Sequence, residues 1–469
     1  MKKSYITLLL LTLLAVLTSC DDKLDITPRG FSTLNTVDDL GAVLNREWRV
    51  FDSDFNHEML TGNIFAYYKT PAEVFAVKNT VDYAFIFGDE SVDRVALCEN
   101  DNRYSEIYEN IMHCNIVAEK MADAEGDSYK KNRFIAQARI LRAWFHFIAV
   151  NLWAAQYDPA TAASTGGIAY VDNINFGAQK TKLTVAEVYD RILADCTDDL
   201  IACLDPAPVN DPFRFEADFG YAVRARVLFQ MKRYDEAADY ARKAIAVNPT
   251  IEDRSTIVSK GTWESTFDAP HHYMFILSNF ITNQSEIAWK TLTPEFISLY
   301  EQGDYVRYYS RDDDWESYDD VLVGTKGSMI YSPQGAPRFN VWGIRAEQMY
   351  YVLAESLIRT GHIDDGLDQV DKVRKYRIHP QYYTPFKGTV TSEKDAMALL
   401  TKAKTVECIL SIENYLDCKR RNSEPGYATD IIHHIDDLGD HTIRPGSPLW
   451  IYPFPMNATN FNPTLTQNI

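Results

Sequence analysis

The 469-residue sequence predicts an all-α fold made of tetratricopeptide-like helical hairpins, about four pairs, separated by long irregular segments. Three observations carry that prediction. Apolar residues recur at intervals of three and four over several stretches, the period of one buried helix face. Residues 221–249 follow the 34-residue tetratricopeptide spacing, and a weaker copy occupies 347–377. The remaining stretches hold no sustained period and are rich in aromatic, Asp, Asn, Ser, Gly and Pro residues.

Taken in chain order, the first element is a leader. Lys2 and Lys3 precede an almost unbroken apolar run from Ile6 to Leu17, and the segment closes on Leu17-Thr18-Ser19-Cys20. That is a signal peptide over 1–19, too short for a membrane-spanning helix. Small residues directly before a cysteine resemble a bacterial lipobox, so Cys20 is expected to be lipidated and to become the amino terminus. Removing residues 1–19 deletes two lysines and no acid, taking the formal charge from -19 to -21. Asp21 and Asp22 resemble the surface-export signal of Bacteroidetes lipoproteins. Residues 20–34, with Pro28 and Gly30, read as a linker from the lipid to one helical domain over 35–469.

Tyr104, Ile107, Tyr108, Ile111, Asn115 and Ala118 form one stripe, and Phe134, Ala138, Leu141, Phe145, Ile148 and Leu152 form another. Helices over 104–121 and 131–153 therefore pair across a turn holding Gly126 and Asp127. Thr184 to Glu187 reads as a capping box opening a helix that ends before Pro206. In 221–249, small Ala225 lets two helices approach, Tyr234 packs at the turn, Ala237 and Ala244 lie seven apart, and Pro249 stops the second helix. The weaker copy, with Ala354, Gly361, Ile363, Gly366 and Val373 at corresponding places, pairs a helix 344–360 with one at 363–377. A further helix is expected over 405–422. Segments 50–100, 255–340, 378–391 and 421–469 are expected to be irregular; their aromatic content argues against disorder, so they are assigned to the ligand-facing side.

The composition excludes several classes. With 47 Lys and Arg against 66 Asp and Glu, no basic footprint exists for a nucleic acid. Six cysteines besides Cys20 are expected to be mostly unpaired and buried, because Cys196 and Cys203 lie about 10 Å apart along a predicted helix, beyond disulfide reach. No cysteine or histidine spacing suits zinc. Neither G-x-x-x-x-G-K-[ST] nor G-x-S-x-G occurs, and no cofactor is expected.

Asp312, Asp313, Asp314, Glu316, Asp319 and Asp320 surround Trp315 and Tyr318, a polar and aromatic patch suited to sugar hydroxyls; without a glycine at the EF-hand place no metal is assigned there. The adjacent pairs His271-His272 and His433-His434 do not make a chelate, since neighbours on a regular element point apart. Aromatic residues make up 13% of the chain, a surplus over core filling that is expected to reach ligand in part. A sugar ring offers an apolar face to Trp or Tyr and an edge of hydroxyls to Asp, Asn and Arg. On that chemistry the candidate ligand contacts are Asn63, Tyr67, Tyr68, Trp263, Tyr273, Arg307, Trp315 and Tyr318. Two competing readings remain: an all-helical glycoside hydrolase, needing a carboxylate pair about 5–10 Å apart across one cleft, and a tetratricopeptide adaptor that binds protein only, whose aromatics in 50–100 and 255–340 would be buried.

Several motifs together resemble the SusD/RagB family of Bacteroidetes outer-membrane lipoproteins. Leu24-Asp25-Ile26-Thr27-Pro28 is similar to its L-D-x-x-P start, and Gln137 to Phe147 to its A-R-x-L-R-A helix, continuing into Asn151-Leu152-Trp153. Ala222 to Ala244 and Arg345 to Arg377, with Ala354-Glu355-Ser356, resemble its later repeat pairs. Pro453-Phe454-Pro455-Met456 and Asn462-Pro463-Thr464-Leu465-Thr466-Gln467-Asn468 resemble its carboxyl-terminal ending. Two departures stand beside these. Glu407-Cys408, Glu413 and Asp417-Cys418-Lys419-Arg420 keep the family's acids but lose its first arginine, and the chain stops at Ile469 without a P-G-Y tail. The resemblance implies a non-enzymatic receptor on the outer membrane. Such a receptor captures oligosaccharide, or in some members peptide, and delivers it to a SusC-like TonB-dependent transporter that it covers as a lid.

Overall fold

Helical periodicity in the sequence becomes helix in space. The computed structural model describes residues 34–51, 56–66, 71–175, 177–208, 211, 213–255, 272–277, 279–280, 290–305, 338–409 and 411–469. Helix α1 (Val37–Leu44) starts at a Thr36/Asp39 capping box. Helices α2 (Asn102–Lys120) and α3 (Ser128–Trp153), capped by Asp101 and Asp127, form the first hairpin. From Ile140 to Trp153, α3 is buried on every side rather than along the single face that its period predicts. Its polar residues are matched inside: Arg142 meets Asp195 at 2.6 and 2.7 Å, and His146 donates from Nδ1 to Arg142 O while Nε2 accepts from the Val171 amide. Burial pushes the His146 pKa down to about 3, against the raising effect of its bond to Arg142 O.

Helix α4 (Val185–Ala194) opens at the predicted Thr184/Glu187 box but stops well short of Pro206. Asp195 turns its carboxylate onto Arg139, Arg142 and Tyr170, and Thr197 caps a separate short helix, Asp198–Ile201. Cys196 and Cys203 thus lie beyond α4 instead of on one continuous helix. Cys98, Cys114, Cys196, Cys203, Cys408 and Cys418 are all free thiols.

Helices α5 (Ala217–Gln230) and α6 (Tyr234–Val247) form the tetratricopeptide pair, α7 (Ala346–Arg359) and α8 (Ile363–Arg374) form its weaker copy, and α6 packs on α7 so that the pairs stack. The close crossing of α7 and α8 depends on Gly366: a Cβ there would stand 2.6 Å from both Ala354 O and Ile358 Cγ1. Gly366→Ala is therefore expected to lower unfolding free energy by about 1–3 kcal/mol in a urea titration, although alanine is the better helix former. An unchanged midpoint would show that the pair can spread without cost.

The helix expected over 405–422 is divided. Helix α9 (Glu393–Glu407) ends at Cys408, and Ser411 caps α10 (Ile412–Asn422) while accepting a bond from Gln348. Segment 50–100 holds short helices, among them Asn56–Thr61 and Val81–Phe87, and segment 421–469 contains the antiparallel hairpin Ile431–Ile435/Gly439–Ile443. Both were expected to be irregular; their short local order carries too few repeats of any period to show in the sequence.

Much of the aromatic surplus is core. Trp48, Trp144, Trp153, Trp342 and Trp450 are buried. The Trp144 indole donates to Trp342 O at 2.7 Å and the Trp342 indole to Val50 O at 3.0 Å, tying three distant segments together. The acids of the family-like motifs are core as well. Glu355 pairs with Arg420, Arg226 with Glu413, and Lys404 with Glu413 and Asp417. Among the described residues no helix is long and apolar enough to cross a membrane.

Candidate functional site

The last carbonyls of α3 would be orphaned at a helix end. Lys419 Nζ donates to Asn151 O and Ala154 O, the Tyr452 amide donates to Leu152 O, and Asn468 Nδ2 donates to Trp153 O. Gln467 exchanges two bonds with the Phe454 backbone at 2.8 Å each. The carboxyl-terminal motif is thus a strap that seats Tyr452 and Pro453 beside the amino-terminal end of α2.

There, a cleft of about 280 Å³ opens, lined on one side by Tyr452 and Pro453 and on the other by residues from 51 and 81–103. Thr80 caps helix Val81–Phe87, which brings Val81, Asp82 and Phe85 to the cleft. Phe85 and Tyr452 set their ring centroids 6.0 Å apart. Arg94 is fixed across them, donating to Ile451 O and Pro448 O at 2.9 and 2.8 Å. Burial lowers the Arg94 pKa and raises that of the Cys98 thiol to about 11, so Cys98 is an inert wall rather than a nucleophile. Arg103 lies over the Tyr452 ring at 4.3 Å and is held by Asp101 through Nε at 3.1 Å and Nη2 at 2.9 Å. Asp101 also accepts from the Arg103 and Tyr104 amides as the α2 cap. A carboxylate that accepts from a guanidinium and a helix terminus at once orients its neighbours. Exposed Asn100 and Asn102 line the rim.

Phe85 and Tyr452 are buried, with Arg103 over the Tyr452 ring, so they close the base of the cleft; what the cleft offers a ligand is its rim of Asp82, Leu97, Asn100 and Asn102. Among the described residues no group of three or more His, Cys, Asp or Glu could hold a metal. His433 is buried with both ring nitrogens near the Ile86 and Met59 carbonyls, and His434 bonds Asp440.

The candidate contacts divide sharply. Cys20, Tyr67, Tyr68, Trp263, Arg307, Trp315 and Tyr318, with the acids of 312–320, lie outside the described residues. Asn63 is buried and donates to Glu58 at 2.9 Å, and Tyr273 is buried in the strand Tyr273–Phe275, its ring 4.1 Å from that of His272. Neither lines the cleft. Segment 50–100 does contribute to it through Phe51 and Phe85, whereas Tyr83 and Phe87 pack against Phe75, and Phe87 also against His441. Sequence reasoning missed Arg94, Asp101, Arg103 and Tyr452. Asp101 had a visible signal as an N-cap residue before a periodic stretch; Tyr452 had none, because a strap 350 residues downstream delivers it.

Fold and cleft define a tetratricopeptide-type helical scaffold with an open cleft. Comparison with known proteins makes that class specific. The SusD-like family, described as starch-binding and associating with the outer membrane, matches residues 55–227, and the tetratricopeptide repeat matches 219–251. A SusD superfamily protein from Bacteroides thetaiotaomicron VPI-5482 superposes with a TM-score of 0.69 at 14% identity, covering 92% of this chain and 100% of that one. A SusD-like carbohydrate binding protein from Bacteroides vulgatus ATCC 8482 gives 0.66 at 13% identity, covering 92% and 98%. A further SusD superfamily protein from Bacteroides vulgatus ATCC 8482 gives 0.67 at 15%, covering 92% and 99%. No curated protein sequence matches. The chain therefore shares the fold of these SusD-superfamily structures and carries a SusD-like segment over 55–227, in keeping with the family resemblance seen in its sequence.

Proposed function

We propose that this protein is a surface-exposed glycan receptor, anchored in the outer membrane through a lipid on Cys20, that captures oligosaccharide and passes it to a SusC-like TonB-dependent transporter without catalysing a reaction. The observation that carries the reading is the cleft, whose buried base of Phe85, Tyr452, Arg94, Arg103 and Asp101 holds a polar rim of Asp82, Asn100 and Asn102. The starch-binding description of the matching family and the carbohydrate binding named for one similar structure support a glycan as the occupant. Binding would come from hydrogen bonds at the polar rim and from stacking on the further contacts named next, and no covalent step is involved. Tyr67, Tyr68, Trp263, Arg307, Trp315 and Tyr318 are proposed as further contacts.

A calorimetric screen of the mature protein against a glycan library tests this. Asp82→Asn with Asn100→Ala is expected to weaken binding by roughly 1–3 kcal/mol, and Trp263→Ala or Trp315→Ala by a similar amount where those rings stack. Glycan turnover by the purified protein, abolished by acid-to-amide changes within 311–320, would establish the hydrolase instead.

A further inference from the structure

Buried cations in this protein lie against carboxylates: Arg142 on Asp195, Arg226 on Glu413, Arg377 on Glu407, Lys404 on Asp417 and Arg420 on Glu355. Among the described residues Arg94 and Lys419 depart from that pattern, and both grip the carboxyl-terminal strap. Arg94 gives its Nη1 and Nη2 bonds to the Ile451 and Pro448 carbonyls. Lys419, 4% exposed, donates to Asn151 O at 2.6 Å, to Ala154 O at 2.7 Å and to the Tyr415 hydroxyl at 3.2 Å, and that hydroxyl donates to Trp450 O. The Trp450 and Tyr452 rings lie 5.9 and 6.4 Å from the Tyr415 ring, and the Tyr452 amide binds Leu152 O, so the strap covers the end of α3 where Lys419 sits.

The groups that face Lys419 supply dipoles and no anion. On its own helix, Tyr415 is held as a neutral phenol by burial, Cys418 is held as a thiol by burial, and Arg420 pairs with Glu355. From α4, Tyr189 donates to the Asn151 side chain and is likewise kept neutral by burial. Helix α3 and its cap contribute the Asn151 and Ala154 carbonyls, and from α5 Gln230 donates to Leu416 O. Beyond Tyr415 stand Arg94 and Arg103, of like charge, the second matched by Asp101. An ammonium taken out of water with no opposite charge beside it costs free energy that its neutral form escapes. Burial accordingly brings the Lys419 pKa down to about 7.

We infer that Lys419 is a proton-linked latch on the strap: lifting residues 448–452 from α3 and α10 admits water to the ammonium and takes up a proton, so the strap closes the cleft base more tightly as pH rises. A hydrated lysine has the ordinary pKa of about 10.4. Between about 7 and that value the closed form binds fewer protons than the open one, so opening becomes harder by up to about tenfold per pH unit. Arg94 stays charged throughout and holds the strap without titrating. The latch is independent of what occupies the cleft. Hydrogen exchange of the purified protein tests it, read by mass spectrometry over peptides containing the Ile451 and Tyr452 amides and corrected for intrinsic exchange rates. In wild type the protection factor is expected to rise about tenfold from pH 6.5 to 8.5; protection that stays flat overturns the latch. Lys419→Met, which cannot titrate, and Lys419→Arg, which stays charged, are each expected to flatten the profile, thermal melts identifying which variant is folded. A folded variant whose protection climbs with pH as in wild type would overturn the latch as well.

Discussion

Glu407→Leu is expected to destabilise the fold by about 3–5 kcal/mol, read as a lower urea midpoint with unchanged slope. Glu407 is buried and accepts from Arg254 at 3.2 Å, Arg345 at 2.9 Å and Arg377 at 2.6 Å. Arg377 is shared with Glu347, which also meets His272 at 3.0 Å. Removing the central carboxylate leaves three guanidinium groups, Arg254 and Arg377 buried and Arg345 partly buried, short of one negative charge, and leucine supplies no acceptor. Glu407→Gln keeps an acceptor oxygen and should cost less. Burial alone would raise the Glu407 pKa; Arg254, Arg377 and Arg345 overcome it and hold the group at about 2. The folded value lies below the unfolded one of about 4.3. Its contribution is therefore fully present above pH of about 5 and is lost as pH falls toward 2. Wild type should lose stability across that window more steeply than Glu407→Gln. A shift under about 1 kcal/mol for Glu407→Leu would show that water enters and solvates the cations.

Cys20→Ala is expected to move the protein from the membrane to the soluble fraction, with the fold intact. The proposed attachment is through the lipid on Cys20; among the described residues no helix is long and apolar enough to cross a membrane. Acyl chains hold a protein by about 0.8 kcal/mol per buried CH₂, and stable anchoring needs two such signals. The tether has no basic patch to provide the second electrostatically, because Cys20 is followed by Asp21 and Asp22 and the chain carries a net negative charge. Cell fractionation with protease accessibility on intact cells reads both anchoring and exposure. Retention of Cys20→Ala in washed membranes would point to attachment through a protein partner instead.

Helices and their pairing were legible because their cause is local. A period of 3.6 residues, an N-cap such as Thr184, and small residues such as Gly366 act within a few turns of chain, so the first hairpin, the tetratricopeptide pair and its weaker copy could all be placed. Breaks were harder. The stop at Asp195 depends on arginines of α3 more than fifty residues earlier, and the division near Ser411 on Gln348 of α7. No local signal announces a helix ended by a distant partner.

By itself, the sequence determined the all-α repeat architecture and the net acidic charge. Only the tertiary structure decided what each polar or aromatic residue is for. Glu347, Arg377 and Glu407 look in sequence like ordinary helix-surface charges, and become a buried network because three helices converge on them. Tryptophans 48, 144, 153, 342 and 450 became core, and so did Phe85 and Tyr452, two rings with nothing to set them apart in sequence, which also close the base of the cleft. The physical reason is range: helix formation is decided between neighbours three and four residues apart, whereas burial, pairing and cleft geometry are decided by segments hundreds of residues apart that meet only when the chain has folded.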